Sequence, residues 1–190
     1  MTNIQQRIVL TGGPGSGKST LIDALTQRGY TCSTEAGRAI IQDQLAIGGN
    51  ALPWGDRAAF AEMMLCWEMR SYHHLDDGNT PCFFDRGIPD IAGYLSLCEL
   101  PIPMHLEEAL RQCRYFEHVF IAPPWREIYV QDTERKQSFE EAVLTYQVML
   151  DTYQKYGYQL WELPRVPVDE RVNFVISKMQ YMGSYSKTVA

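Results

Sequence analysis

The sequence predicts an α/β protein built on a parallel β-sheet covered by helices on both faces. Three observations carry this. Short apolar runs alternate with longer stretches that have helical spacing. The first apolar run leads through a glycine cluster straight into a helix. At 190 residues, with 45% hydrophobic and 21% charged side chains, the chain has the length and composition of one domain with a proper core.

The elements follow in order. Arg7–Thr11 (RIVLT) is a short apolar run with the look of a buried strand. Lys18 to about Gln27 is helical, with Leu21, Ile22 and Leu25 on one side and Gly29 as the stop. Tyr30–Ser33 is a weak second strand, Arg38–Leu45 a helix, and GGNALPWG (48–55) a loop by composition. Asp56 is a good N-cap for a long helix to about His74, with Phe60, Met63, Met64 and Trp67 on one face. Thr80–Phe84 is a third strand ending at Asp85. Pro89–Leu97 and His105–Arg114 read as helices, and His118–Ala122 as a strand closed by Pro123-Pro124. Ser138 and Glu141 form a capping box for a helix over Ser138–Tyr156. Gln159–Leu163 is a fifth strand, Val168–Met182 a last helix, and residues 183–190 a frayed tail. No internal repeat or linker interrupts this order, so 1–190 reads as a single domain.

Composition excludes several functions. Seventeen Lys and Arg against 23 Asp and Glu give a net charge of −6, a poor balance for a general binder of nucleic acid or anionic membrane. The five cysteines are odd in number and show neither CxxC nor zinc spacing. The N-terminal MTNIQQRIVLTGG has no secretory apolar region, and no run approaches the roughly 20 apolar residues that span a bilayer. The expected setting is the reducing cytoplasm. His73-His74 lack HxxxH spacing and read as exposed, not as metal ligands.

The strongest motif is Gly12-Gly13-Pro14-Gly15-Ser16-Gly17-Lys18-Ser19, followed by Thr20. It matches G-x-x-x-x-G-K-[ST], between a strand and an amphipathic helix. Glycines let successive backbone N–H groups converge on phosphate oxygens, and the helix N-terminus adds a positive dipole end. Lys18 is placed to bridge the β- and γ-phosphates, and the Ser19 hydroxyl to ligate Mg²⁺. No N-K-x-D guanine-reading motif follows, so ATP is the expected nucleotide.

Asp85 ends an apolar strand in PCFFDRG, where it would hold Mg²⁺ through water; the alternative is a cap for the next helix. Arg86 beside it is a candidate for phosphate or acceptor, provided that the turn swings it into the cleft, its alternative being a structural ion pair. Glu35 and Arg38 follow the second strand, beyond the carboxyl ends of the sheet. Glu35 is a candidate base for a substrate hydroxyl, its alternative being a helix-dipole partner. Arg38 would hold an acceptor anion. Arg135, in DTERKQ (132–137), is expected to close over the phosphates, against the alternative of a solvated charged turn. Trp54 is ambiguous between an ordinary loop residue and a cover for an acceptor, and the backbone of Pro164–Pro167 lies after the last strand, where adenine commonly rests, as an alternative to a plain loop.

GGPGSGKST, EAGRAII, FFDRGIPD, ERKQSFEEA and GYQLWELPRVPVDERVNFV together resemble a small P-loop kinase-like family, often labelled AAA-type. It groups the ribosylnicotinamide-kinase domain of a bacterial NAD-biosynthesis regulator with a TRPL-translocation protein of photoreceptors. The resemblance covers roughly residues 5 to 180. It implies a P-loop NTPase three-layer sandwich with a five-stranded parallel sheet in the order 2-3-1-4-5. It also puts Lys18, Ser19, Asp85 and Arg135 at phosphate, metal and lid positions. The chain departs from the family in having no adenylyl-transferring or DNA-binding domain and no glycine in the lid stretch, which leaves the acceptor open. The function expected is transfer of phosphate from ATP-Mg²⁺ to a small acceptor such as a nucleoside or nucleotide. The alternatives are a nucleotide-dependent switch or slow ATPase acting on a protein, and a polynucleotide-end kinase, which the net charge weakens.

Overall fold

The computed structural model describes residues 7–75, 80–129 and 138–185, with side chains as far as Gln180. Five strands form one sheet: β1 (Arg7–Gly12), β2 (Thr31–Cys32), β3 (Cys82–Asp85), β4 (His118–Ala122) and β5 (Gln159–Glu162). Their order is β2-β3-β1-β4-β5, and every pairing is parallel. Among the described residues seven α-helices connect and follow them: α1 (Lys18–Gln27), α2 (Ala36–Ile47), α3 (Arg57–His74), α4 (Ile88–Leu97), α5 (Met104–Gln112), α6 (Phe139–Lys155) and α7 (Val168–Tyr185).

The middles of the central strands are apolar because both of their faces are covered, with polar residues such as Arg7, Thr11, Asp85 and His118 at or near their ends. Successive side chains of a strand point to opposite faces. Ile8, Leu10, Phe83 and Phe120 pack against Leu21 and Leu25 of α1 and Val172 and Val175 of α7. Val9, Phe84 and Val119 pack on the other face, against Leu65 of α3, Ile91 of α4, Leu106 of α5 and Tyr153 of α6. A smaller cluster of Ile40, Ile41, Leu52 and Phe60 joins α2 to α3.

Side-chain caps mark the starts of α3 and α6. Asp56 accepts the Ala59 N–H at 2.9 Å at the head of α3. Ser138 and Glu141 form the expected reciprocal box at the head of α6. Several boundaries differ from expectation; β3, for one, runs Cys82–Asp85 and not Thr80–Phe84. α2 begins two residues before Arg38 and runs on to Ile47, where Gly48 takes a left-handed turn (φ 69°). β2 shrinks to two residues, since Ser33 leaves the strand while its N–H still reaches Phe83 O at 2.8 Å. α7 continues to Tyr185, three residues past the expected end at Met182; residues 186–190 lie outside those described. No helix among the described residues is long and apolar enough to cross a membrane.

The order reverses at β1: β3 lies on one side of it and β4 on the other. A crevice opens at such a switch point, beyond the carboxyl ends of the strands. The register brings Asp85 level with Leu10 and Ala122 level with Gly12. Gly12 is therefore pinched: its φ is +134°, and a Cβ built there would run into the Ala122 carbonyl oxygen. Gly12→Ala is expected to lower stability by about 1–3 kcal/mol. The check is a melting curve, where each kcal/mol corresponds to roughly 2–4 °C in a chain of this size. An unchanged melting temperature would show that the pinch relaxes freely.

Candidate active site

The loop Gly12–Ser19 joins β1 to α1. Gly17 is the residue before α1 and sits at φ 77°; a Cβ there would meet Arg171 Nη1 at 2.6 Å. Only glycine fits this position without displacing its neighbours. Ser16 Oγ donates to Gly13 O at 2.8 Å and tightens the curl. The Lys18 side chain is buried and folds back over the loop, its Nζ donating to Gly12 O at 3.3 Å and Gly13 O at 2.9 Å. Ser19 and Thr20 are exposed on the first turn of α1. That turn has no acidic residue, so no carboxylate of its own offsets the positive dipole end of α1, which suits an anion site.

A cavity of about 480 Å³ lies against this loop. Pro14–Thr20 form one wall, Trp125, Ile128 and Tyr129 a second, and Val166, Pro167 and Val168 a third. Val166 and Pro167 belong to the stretch expected near a base. Sequence reasoning missed Trp125, Ile128, Tyr129 and Arg171. Arg171 is 3% exposed, donates from Nη2 to Ser16 O at 3.3 Å, and has a buried Nε without a hydrogen-bond partner among the described residues. Burial lowers its pKa. Arg38, expected to hold an acceptor anion, also lines this cavity.

Asp85 is 4% exposed, and its Oδ1 is fully buried without a hydrogen-bond partner among the described residues. Its backbone N–H donates to Ser33 Oγ at 2.9 Å. It does not cap α4: Gly87 holds that place, and Asp90 accepts the Gly87 N–H at 3.0 Å. Burial raises the Asp85 carboxyl above the ordinary range. Lys18, Arg86 and Arg38 pull it down, while Asp90 pushes it up. An unclaimed carboxylate oxygen beside the phosphate-loop lysine, with the Ser19 hydroxyl at the start of α1, is a hard-oxygen donor set that fits Mg²⁺.

Arg86 takes a left-handed backbone (φ 74°), anchored by its N–H on Leu10 O at 3.0 Å. That turn brings its side chain between two carboxylates: Nη1 to Asp90 Oδ1 at 3.0 Å, and Nε to Glu35 Oε1 at 3.6 Å. Glu35 occupies the N-cap position of α2, but its side chain makes no cap hydrogen bond. Asp90 was missed, although it is the sole charged residue in the apolar helix IPDIAGYLSL. It is 5% exposed and also accepts from Thr11 Oγ1 and Tyr153 Oη, both at 2.6 Å.

Glu35, Arg86 and Asp90 line a second cavity of about 860 Å³. Its remaining walls are mostly apolar, with Phe60, Met64, Ile91, Tyr94 and Met149 inside and the exposed Trp54 and Leu144 also lining it. Pro14 lines both cavities, so the two adjoin at the phosphate loop. Glu68 of α3 lines the second one and was also missed, although it continues the stripe of Phe60 and Met64 by one turn. Arg135 and the charged stretch 132–137 lie outside the described residues. His73 and His74 are exposed.

Phosphate loop, strand order and paired cavities define a P-loop protein with the nucleoside- and nucleotide-kinase fold. A family model described as an AAA domain, AAA_28, matches residues 7–171, and the chain belongs to that family. No curated protein relative matches the sequence. Among solved structures, deoxyadenosine kinase from M. mycoides with products dCMP and dCDP is similar at a TM-score of 0.65 and 13% identity, over 92% of this chain and 99% of that one. NadR in complex with NR gives 0.63 and 18%, over 90% of this chain and 50% of that one. Shikimate kinase from Acinetobacter baumannii with shikimate gives 0.57 and 14%, over 93% of each chain. At these identities the likeness is one of fold.

Glu68 gives the site a pH signature. Burial, with Asp90 and Asp85 nearby, holds its carboxyl well above the ordinary 4.5; Arg86 opposes them. As pH rises past 4.5, the unfolded chain releases this proton while the folded chain keeps it, so stability falls with rising pH. Glu68→Gln has no such proton. The variant is expected to gain stability relative to the parent as the pH rises above 4.5, for as long as the folded carboxyl keeps its proton. Urea unfolding of both proteins across that range checks it. Parallel pH slopes would show that Glu68 ionises normally.

Proposed function

We propose that the protein transfers the γ-phosphoryl group of ATP to a hydroxyl of a small molecule, in the cytoplasm and as a single domain. One observation carries this: a phosphate-loop cavity and a larger, mostly apolar cavity adjoin at Pro14, with the Glu35–Arg86 pair on the second side. Two reactants seated in these cavities would meet in line at the loop, and much of such catalysis is positioning.

On the donor side, loop amides and the α1 N-terminus receive the phosphates. Lys18 exchanges the Gly12 and Gly13 carbonyls for phosphate oxygens, and Arg38 and Arg171 add positive charge to the same cavity. Ser19 and Asp85 would hold Mg²⁺, which when bound offsets charge on the phosphates. On the acceptor side, Arg86 faces two carboxylates. Its charge is thus already matched, which suits a neutral hydroxyl better than a phosphate. Glu35 takes the hydroxyl proton as the oxygen attacks, and Arg86 keeps the carboxylate oriented. The kinases of similar fold include proteins named for hydroxyl-bearing small molecules, deoxyadenosine and shikimate, which supports an acceptor of this size.

The first test uses Lys18→Ala. ATP binding measured by calorimetry with Mg²⁺ is expected to weaken by about 1.5–3 kcal/mol, the worth of a charge-assisted phosphate contact. Binding and turnover equal to the parent would remove the phosphate-loop assignment. The second uses Glu35→Gln, after an ADP-release screen over nucleosides, nucleotides and sugars has found an acceptor. Single-turnover transfer should fall about 10²-fold or more with ATP affinity nearly unchanged. Transfer intact with a lowered melting temperature would make Glu35 a structural partner of Arg86. ADP release that no small acceptor raises, but that a protein does, would favour a nucleotide-driven switch instead.

A further inference from the structure

We propose that Glu68 holds a second, non-reacting hydroxyl of the acceptor. The acceptor is then a polyhydroxylated molecule with a flat apolar body, such as a sugar joined to a ring, and not a simple alcohol or a phosphate ester. This rests on the acceptor-cavity reading above.

The position of Glu68 is the first argument. Arg57, Phe60, Met64 and Glu68 lie on one face of α3 and all line the larger cavity. Arg57 is exposed and Glu68 is 3% exposed. This face thus runs about 16 Å from the open end of the cavity to its floor, at 1.5 Å per residue. The apolar side chains between them suit a flat ring, and Phe60 and Tyr94 already pack edge to face with centroids 5.5 Å apart.

The second argument concerns hydrogen bonding at that floor. Asp90 is fully engaged by Thr11, Arg86, Gly87 and Tyr153. Arg86 is engaged by Asp90 and Glu35. Glu68 differs: its Oε2 is fully buried with no hydrogen-bond partner among the described residues. A buried polar atom left unpaired is destabilising, so a ligand group that completes it binds more tightly.

The third argument is chemical. The carboxylates of Asp90 and Asp85 act on Glu68 together with burial and favour its neutral form, against the single opposing charge of Arg86; Tyr115 is its other titrating neighbour. A neutral carboxyl presents one donor and one acceptor, the complement of a hydroxyl, which also has both. The same carboxylates repel an anionic group. This site would therefore select an uncharged acceptor with one hydroxyl on Glu68 and another near Glu35.

The test pairs acceptors that differ by one hydroxyl: adenosine and cytidine against their 2′- and 3′-deoxy forms, each keeping the 5′-hydroxyl. Two readouts are taken, ADP release with ATP-Mg²⁺ and calorimetric binding in the presence of ADP. The parent should prefer one hydroxylated member over its deoxy partner by about tenfold or more, since a site built for a hydroxyl rejects its absence. Glu68→Leu should erase that preference by bringing the hydroxylated compound down to its deoxy partner. Glu68→Gln, which keeps both a donor and an acceptor in the same shape, should retain the preference within about threefold. It also serves as the folded control if the leucine variant does not fold.

Equal loss for hydroxylated and deoxy compounds in Glu68→Leu would overturn the proposal. So would loss of the preference in Glu68→Gln, or a panel in which no member binds or none is preferred. Hydroxyl-selective, Glu68-dependent binding without any transfer would sustain this inference and remove the kinase reading. Transfer that ignores Glu68 would do the reverse.

Discussion

The site depends on one buried carboxylate. Asp90 binds Thr11 at the end of β1, Arg86 and Gly87 at the β3–α4 turn, and Tyr153 of α6. Four donors from three parts of the chain converge on two oxygens with almost no solvent. Charge-assisted bonds in such surroundings are stronger than neutral ones, and each partner would be costly to leave unmet. The network ties the strand that launches the phosphate loop to the arginine that lines the larger cavity. The two cavities are thus held in a fixed relation by one side chain.

Sheet topology supplies the space around that anchor. β1 lies between β3 and β4, and the chain leaves it through a glycine too close to Ala122 to carry a side chain. The loop must therefore rise out of the sheet before α1 starts, and its amides gather at the switch point. Asp85, level with Leu10, is carried to the same spot by pairing alone. Its burial among Lys18, Arg86 and Arg38 concentrates opposite charges where a phosphoryl group would be in transit.

Much of this was legible in the sequence. The phosphate loop was read to the residue, because its chemistry is local: eight consecutive residues and the helix behind them suffice. The alternation of strands and helices was also readable, since buried parallel strands must be apolar on both faces. Boundaries were less so. β2 shortened and α2 started early because pairing with β3 and the turn at Glu35 decide those ends. Arg38 illustrates the limit. Its helix was foreseen, but the cavity it faces depends on how that helix lies across the loop.

What the sequence determined by itself was a phosphate loop on a parallel sheet, an acidic strand end beside it, and Glu35 beyond the second strand. What only the tertiary structure decided was the far wall of each cavity and the anchor between them. Arg171 meets Ser16 across 155 residues, and Asp90 meets Thr11 across 79. Glu68 looked like one more position on a helical stripe until folding buried it without a partner. The physical reason is range. Turn geometry, capping and strand patterning are set by neighbours along the chain, whereas a polar group's fate in the interior is set by whatever distant segment is packed against it.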